Sequence, residues 1–541
     1  MSSSRERFEA MQSSADAIVA VIEAFGRKGV RFWQENGQLR YEAPRGALTS
    51  QDLERLRANK ANIIAHLSSR SEPAEPEDPA LGPRRCSNSA PLTFSQLVRW
   101  RLLQKGEVPN VRSIASALRL CGSLNVAVLQ ASLNEIVRRH EALRTQVVIR
   151  DGLPVQEIAA VQACTLELED LSLRAEEAGG NQLEHSVQQF ILTPLDVSRD
   201  PLFAARLIKV RPDEHVLVLA MEHIISDAAS GGILLRDVLA AYAQLLENGI
   251  VSLAPIAIQF ADYACWQSRS PAIRARKNAY WNARLAGSSR LRFPDSEPPA
   301  AASCSGWGRV PVTISREKKA QLQSWSRSHA TTQVMALLTC FAAALARWCQ
   351  VTDAVIQYQS DGRVRPEVSN SIGYFACPLY LRLQLTPQDT LVALMQRLTQ
   401  EFCNAHEHSD ESSIATQEPR PAFTRNPAFN WVPRGSGPAV SQLPGSPRPL
   451  VCSPVEIAHP TLDKLELDHE PILLLYDGDE QVSGGVFFPK NRLSEASIRN
   501  FAQAFAVITD ALLEQPTVRI RDIPISSASS VISTAPPDVS S

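Results

Sequence analysis

Residues 221–227 pack a glutamate, a histidine, a serine and an aspartate between two apolar stretches. His223 is the side chain there best suited to chemistry. An imidazole with an unperturbed pKa of ~6.5 is mostly neutral near pH 7 and can take up a proton from a reacting group. Other chemistry-bearing clusters are weaker. His406 and His408 have metal-like spacing but no evident third ligand, so they read as polar residues at a helix end. Gly231 and Gly232 lack the surrounding pattern of a phosphate loop and read as loop geometry before a helix. Cys265 lies in an aromatic segment without a nearby histidine and reads as core.

The elements that must hold His223 follow from the flanking pattern. Residues 215–221 are apolar on both faces, as in a buried strand, and residues 233–246 have the apolar spacing of an amphipathic helix. A polar loop between such elements is braced from both sides, which suits a reacting side chain. From residue 91 to about 525, long helices alternate with strand-like runs, as in an α/β or α+β enzyme. Helices are expected over 95–104, 126–140, 233–246, 316–329, 332–350, 390–406 and 494–513. Strands are expected over 113–121, 144–150, 204–210, 215–221, 354–359, 380–384, 472–477 and 484–488. The body divides into halves, 91–270 and 271–525, and residues 294–306 and 410–450 read as surface crossovers.

Residues 1–70 read as a separate small domain. Ile18, Val19, Ile22 and Phe25 have helical spacing, and an Asn36-Gly37 turn separates two strand-like runs, a strong hairpin signal because both turn positions favour positive φ. A second helix opens at Thr49, with Asp52 three residues on, and carries Leu53, Leu56, Ile63, Ile64 and Leu67. Residues 71–90 are a Pro- and acid-rich linker, and 526–541 a Ser/Pro tail expected to be disordered. The whole chain of 541 residues is 44% hydrophobic with a net charge of −2, which gives no electrostatic case for nucleic acid. Its longest apolar run, 335–346, is too short to span a membrane, and no apolar signal segment opens the chain. Ten cysteines without CxxC pairs fit buried thiols in a reducing cytoplasm, with no metal site.

Several separated motifs carry a family resemblance. Residues 92–100 (LTFSQLVRW) are similar to an opening S-x-x-Q-x-R-x-W helix, 139–145 (RHEALRT) to R-H-E-x-L-R-T, 259–266 (QFADYACW) to Y-x-D-Y-A-x-W, and 372–375 (IGYF) to I-G-x-F. In their order along the chain these resemble the condensation domains of nonribosomal peptide synthetases, over residues 91–525. Residues 222–228 stand where that family has its active-site H-H-x-x-x-D-G. Residues 13–68, with GVRFW and GQLRYEAPRGALT, resemble the N-terminal β-hairpin docking domains of modular peptide and polyketide synthases.

The resemblance implies two chloramphenicol-acetyltransferase-like lobes in a V behind a small docking domain. It places His223 as the base or orienting group for a nucleophile attacking a carrier-bound thioester. Asp227 would fix the loop through an arginine of the other half, for which Arg363 in SDGRVR is the candidate; such a pair can be bidentate. Glu222 replaces the first histidine and Ala228 the glycine. Glu222 would either raise the imidazole pKa or bond backbone amides, and the methyl of Ala228 would restrict φ. The chain itself would bind no cofactor, its substrate riding on the phosphopantetheine of a partner carrier protein. The docking domain would capture the C-terminal tail of an upstream acyl or peptidyl carrier protein. Arg27, Lys28, Arg31 and Arg40 around the hairpin suit an acidic peptide added as a strand, although positions 1–70 hold only 11 Lys/Arg against 8 Asp/Glu and ordinary solvated charges are an equal reading. The expected activity is acyl transfer to an amine or hydroxyl acceptor, free or carrier-bound, with release of an amide or ester. The alternatives are a degenerate domain that binds carriers or recruits a tailoring enzyme, and an acyltransferase using a free donor.

Overall fold

In the computed structural model the described residues are 31–35, 38–42, 52, 56, 60 and 80–525, the last without 85–87, 173–180, 270, 289, 292, 295–305, 387, 410–425, 434–440, 444–448 and 456–469. The chain forms two compact units, Met1–Asp78 and Pro79–Ser541. In the first, strands Arg31–Glu35 and Gln38–Glu42 pair antiparallel, with Trp33 opposite Arg40 and Arg31 opposite Glu42. Asp52, Leu56 and Lys60 are helical, and Leu56 is buried. Arg40 is exposed. Arg27, Lys28, the Asn36-Gly37 turn and the first expected helix lie outside the described residues, as do most of the 71–90 linker, residues 295–305 and the 526–541 tail.

Among its described residues the second unit has mixed α/β structure with two six-stranded sheets. The first runs Ser441–Leu443, Leu450–Val455, Ile114–Cys121, Glu214–Met221, Phe203–Arg211, Leu166–Asp170. The second runs Trp307–Ile314, Val482–Pro489, Ile472–Asp477, Ala428–Val432, Asp353–Ser360, Cys377–Gln384. A three-stranded sheet joins Ser89–Pro91, Leu153–Ile158 and Thr145–Arg150. Helix Val126–Arg139 buries Leu133 and Ile136, and helix Ala228–Asn248 buries Val238 and Tyr242, in one core with Leu217 and Leu219 of the first sheet. The second lobe centres on Gln333–Trp348, whose Leu337, Phe341 and Leu345 are buried with Phe429, Phe501 and Ile508. The longest apolar run is therefore core, and no single helix among the described residues is long and apolar enough to cross a membrane. Ser315, Thr332, Thr390 and Ser494 each cap a helix of this lobe by accepting an N–H from its first turn, at about 1 kcal/mol per cap.

Three sequence expectations need correction. Residues 410–450 are not simply a surface crossover. Ala428–Val432 lies inside the second sheet with Phe429 fully buried, while Ser441–Leu443 joins the first. With Leu450–Val455 pairing onto Ile114–Cys121, chain from beyond residue 271 completes the first sheet, and a linear cut at 270 does not separate the two sheets. The helix after the His223 loop begins at Ala228, so Gly231 and Gly232 lie inside it, within its first two turns. A Cβ at Gly231 would lie 3.3 Å from the Ser116 hydroxyl oxygen, a tight contact.

Candidate active site

Strand Glu214–Met221 is interior to the first sheet and delivers the loop at its C-terminal end. Local backbone chemistry accounts for both acidic residues of the loop. Glu222 caps the short turn His223–Ile225 by accepting the Ile224 N–H. Asp227 caps helix Ala228–Asn248 by accepting the Ser230 N–H at 2.8 Å. Ile224 and Ile225 are buried between them and anchor the turn.

His223 is held by the same turn. Its Nδ1 lies 2.7 Å from the Ser226 carbonyl oxygen, which can only accept, so Nδ1 carries the proton of the neutral ring. Nε2 then presents a lone pair. The ring is partly exposed and packs on Tyr374, with centroids 4.4 Å apart at 47°. Burial, and then the positive charge of Arg99, lower the His223 pKa below its ordinary value, against the opposing pull of Glu222 and the Ser226 carbonyl. The imidazole is therefore neutral at pH 7 and able to accept a proton. Burial raises the Tyr374 phenol to about 12, so it stays protonated beside the ring.

Asp227 and Arg363 meet as the motif suggested. Arg363 donates from Nη1 to Oδ2 at 2.8 Å and from Nη2 to Oδ1 at 3.0 Å. Asp227 also accepts the Ser230 hydroxyl at 2.7 Å and the N–H groups of Phe375 at 3.1 Å and Ala376 at 3.2 Å. Ser230 is part of this cluster: its hydroxyl lies 2.9 Å from the Gly373 carbonyl and accepts the Gly373 N–H at 3.1 Å. Arg363 packs over Phe375 at 4.6 Å and donates to the Ser371 carbonyl at 3.1 Å. The IGYF segment is thus fastened to the loop helix through backbone as well as side chains. Gly373 is required because a Cβ would enter the Phe260 ring, and Gly362 because its φ is +65° and a Cβ would strike the Phe375 carbonyl.

Glu222 is fully buried and faces the other way. It accepts hydrogen bonds from Arg99 Nε at 3.1 Å and Nη2 at 2.5 Å, and Arg99 also donates to the Pro109 carbonyl at 3.3 Å. Both options left by the sequence are seen: Glu222 bonds the Ile224 backbone N–H, and its charge pulls the imidazole pKa up, although burial and Arg99 outweigh that pull. Ala228 is exposed and has no positive φ, so the helical backbone here does not need the family's glycine. Gln96 donates to the Ile224 carbonyl at 2.9 Å and Ser95 to the Ala376 carbonyl at 3.0 Å, so the opening helix Phe94–Gln104 braces both the loop and the residue that follows IGYF. Sequence reasoning missed Arg99, Ser230 and Tyr374. With Gln96 and Trp100 in frame, the arginine of the opening pattern belongs at Val98; its shift to Arg99 was the available signal.

The remaining motifs build scaffold. Asp237 pairs with Arg139 at 3.1 Å and His140 at 3.0 Å; its carboxyl is held down at about 2 although burial opposes this. Asp262 and Glu141 both bind Arg84 at 2.8 Å. His408 stacks on Tyr280 at 3.8 Å and His406 meets Phe402 edge-on at 4.8 Å. Among the described residues no group of three or more His, Cys, Asp or Glu could hold a metal ion. Cys265 packs against Ala90, Ile158 and Ala261.

Comparisons with known proteins agree with this architecture. The condensation-domain model matches residues 87–412, and the TubC N-terminal docking domain model matches residues 18–69. The chain is 32% identical over 355 residues to malpibaldin synthetase of Mortierella alpina, covering 64% of this chain and 6% of that one. It is 30% identical over 357 residues to malpinin synthetase of the same organism, covering 65% of this chain and 5% of that one. The chain thus spans less than a tenth of the length of these relatives. Among solved structures, the X-domain from teicoplanin biosynthesis superposes with a TM-score of 0.69 at 23% identity, over 83% of this chain and all of that one. A structure described for condensation domain-mediated chain release from the enacyloxin polyketide synthase gives 0.65 at 21%, over 96% and 98%. Residues 87–412 are more than half of the chain, and it belongs to the condensation-domain family.

Proposed function

We propose that this condensation-domain protein transfers an acyl group from a carrier-protein phosphopantetheine thioester to an amine or hydroxyl. The carrying observation is His223, neutral, with Nδ1–H bonded to the Ser226 carbonyl and Nε2 free to accept. The acceptor N–H or O–H gives its proton to Nε2 as its heavy atom bonds to the thioester carbon. The C–S bond then breaks, and the departing sulfur recovers a proton from the imidazolium. A positioned base supplies ~10²–10⁴ in rate. Holding donor and acceptor together supplies much of the rest. The hairpin Arg31–Glu42 would receive the acidic tail of an upstream carrier protein along a strand edge, with the exposed Arg40 nearby. Chain release as amide or ester is the finer form of this reading; release is the process described for the enacyloxin condensation domain.

The test is intact-mass spectrometry of an acyl-loaded carrier mixed with the protein and candidate acceptors. Acyl loss that needs both protein and acceptor, and that disappears in His223→Ala with carrier binding intact, is expected. Undiminished transfer by His223→Ala would overturn the assignment. A second reading, a domain that binds carriers or recruits a tailoring enzyme without turnover, rests on Glu222 and Ala228 standing in the motif. It predicts carrier binding with no acyl loss under any acceptor.

A further inference from the structure

The exchange of histidine for Glu222 poses a physical problem that the structure answers. A carboxylate next to His223 in the chain favours the charged imidazolium, and an imidazolium cannot act as the base the proposed reaction needs. A fully buried carboxylate without a counter-charge is also strongly unfavourable. Facing the turn, helix Phe94–Gln104 supplies Arg99, the loop supplies Glu222, and the IGYF segment supplies the protonated Tyr374. Asp227, on the far side, is already bound by Arg363 and four other donors. Arg99 is therefore the cation that meets Glu222. Its side chain is 9% exposed, and two of its nitrogens converge on one carboxylate oxygen.

We propose that Arg99 is a positioning residue for His223: its ion pair with Glu222 cancels the charge placed in the loop and lets the turn hold His223 as an uncharged base. The arginine displaced by one residue in the opening helix and the carboxylate in the active-site loop form one unit, although 123 residues separate them. Each makes the other tolerable. Arg99 alone would bury a cation beside the base, and Glu222 alone an anion. This inference rests on the proposed role of His223, but its test reads the imidazole directly and not turnover.

The experiment is an NMR titration of histidine-labelled full-length protein, with the His223 signal assigned by its loss in His223→Ala. Glu222→Gln, which keeps Arg99, is expected to move the His223 midpoint down by about one pH unit. Arg99→Met, which keeps Glu222, is expected to move it up by about one unit. The double variant should return close to the parent. A purely structural ion pair predicts something else: both single variants loosen the turn, hydrate the ring and move the midpoint up together. Shifts in the same direction, or no shift in either, overturn the proposal. If Arg99→Met fails to fold, Glu222→Gln decides alone, a fall supporting the proposal and a rise or no change overturning it. Turnover by His223→Ala would sink the acyl-transfer reading and leave these midpoints interpretable.

Discussion

Glu222 and Asp227 lie on one loop, each caps a helical turn, and each binds an arginine, yet they tie the loop to different parts of the molecule. Glu222 bonds to Arg99 of the opening helix and to the turn that carries His223. Asp227 bonds to Arg363, which follows a strand of the second sheet, and to the backbone of Phe375 and Ala376. The first carboxylate governs the charge around one imidazole. The second fastens the segment bearing the base to the segment that walls it. Similar side chains in similar local roles thus do different work because their partners sit on different elements.

Breaking the Asp227 side should have the largest effect. Arg363→Ala leaves a buried carboxylate without its cation, and truncating one partner of a buried pair costs about 3–5 kcal/mol. Denaturant unfolding should show that loss, and transfer should fall with it because Phe375 and the Ser371 carbonyl lose their Arg363 contacts. A stable Arg363→Ala protein with normal transfer would erase the distinction between the two carboxylates. On the Glu222 side, Ile224→Ala removes a fully buried anchor of the turn and should cost about 2–5 kcal/mol, read in the same unfolding experiment.

Acid dependence offers a sharper comparison. His140, His215, His223 and His406 all have folded-state pKa values lowered, in each case chiefly by burial. A histidine with a depressed folded value binds more protons unfolded. Its contribution is intact above the unfolded value of ~6.5 and is lost as pH falls toward the folded value. Thermal midpoints should therefore hold from about pH 8 to 7 and decline below about 6.5. The acid limb of transfer should also lie below about 6.5, as His223 protonates. An acid limb above that value would contradict a neutralised Glu222. The smallest effect belongs to Ala228→Gly. It restores the family residue at an exposed first-turn position, and should cost at most about 1 kcal/mol of stability. A change of several-fold in transfer by this variant, measured with loaded carrier, would give Ala228 a role at the substrate entrance.

The His223–Asp227–Arg363 constellation was legible because it follows local rules: an apolar strand, a polar turn, an N-cap and a motif with fixed spacing. Many helices and strands of the two sheets were likewise announced by helical periodicity and apolar runs, whereas the two-lobed fold came only with the family resemblance. Arg99 was harder to see, because its partner lies on another element and nothing in its own helix calls for a carboxylate. The first turn of the loop helix was misread because glycines suggested a break, whereas the Asp227 cap starts the helix before them. Strand Ala428–Val432 and the pair that follows it are short, and their sheet membership depends on register with distant strands that no local pattern records.

That last feature has a consequence for synthesis on the ribosome. Cys121 pairs with Val451, so one edge of the first sheet stays open until more than three hundred further residues have been made. An unpaired edge of this kind is a template for unwanted pairing, and long-range closure is slow. The nascent chain must carry an unfinished first lobe while the second is being translated. A product truncated before residue 450 would keep that edge exposed, so interrupted translation would leave strand Ile114–Cys121 without its later partner.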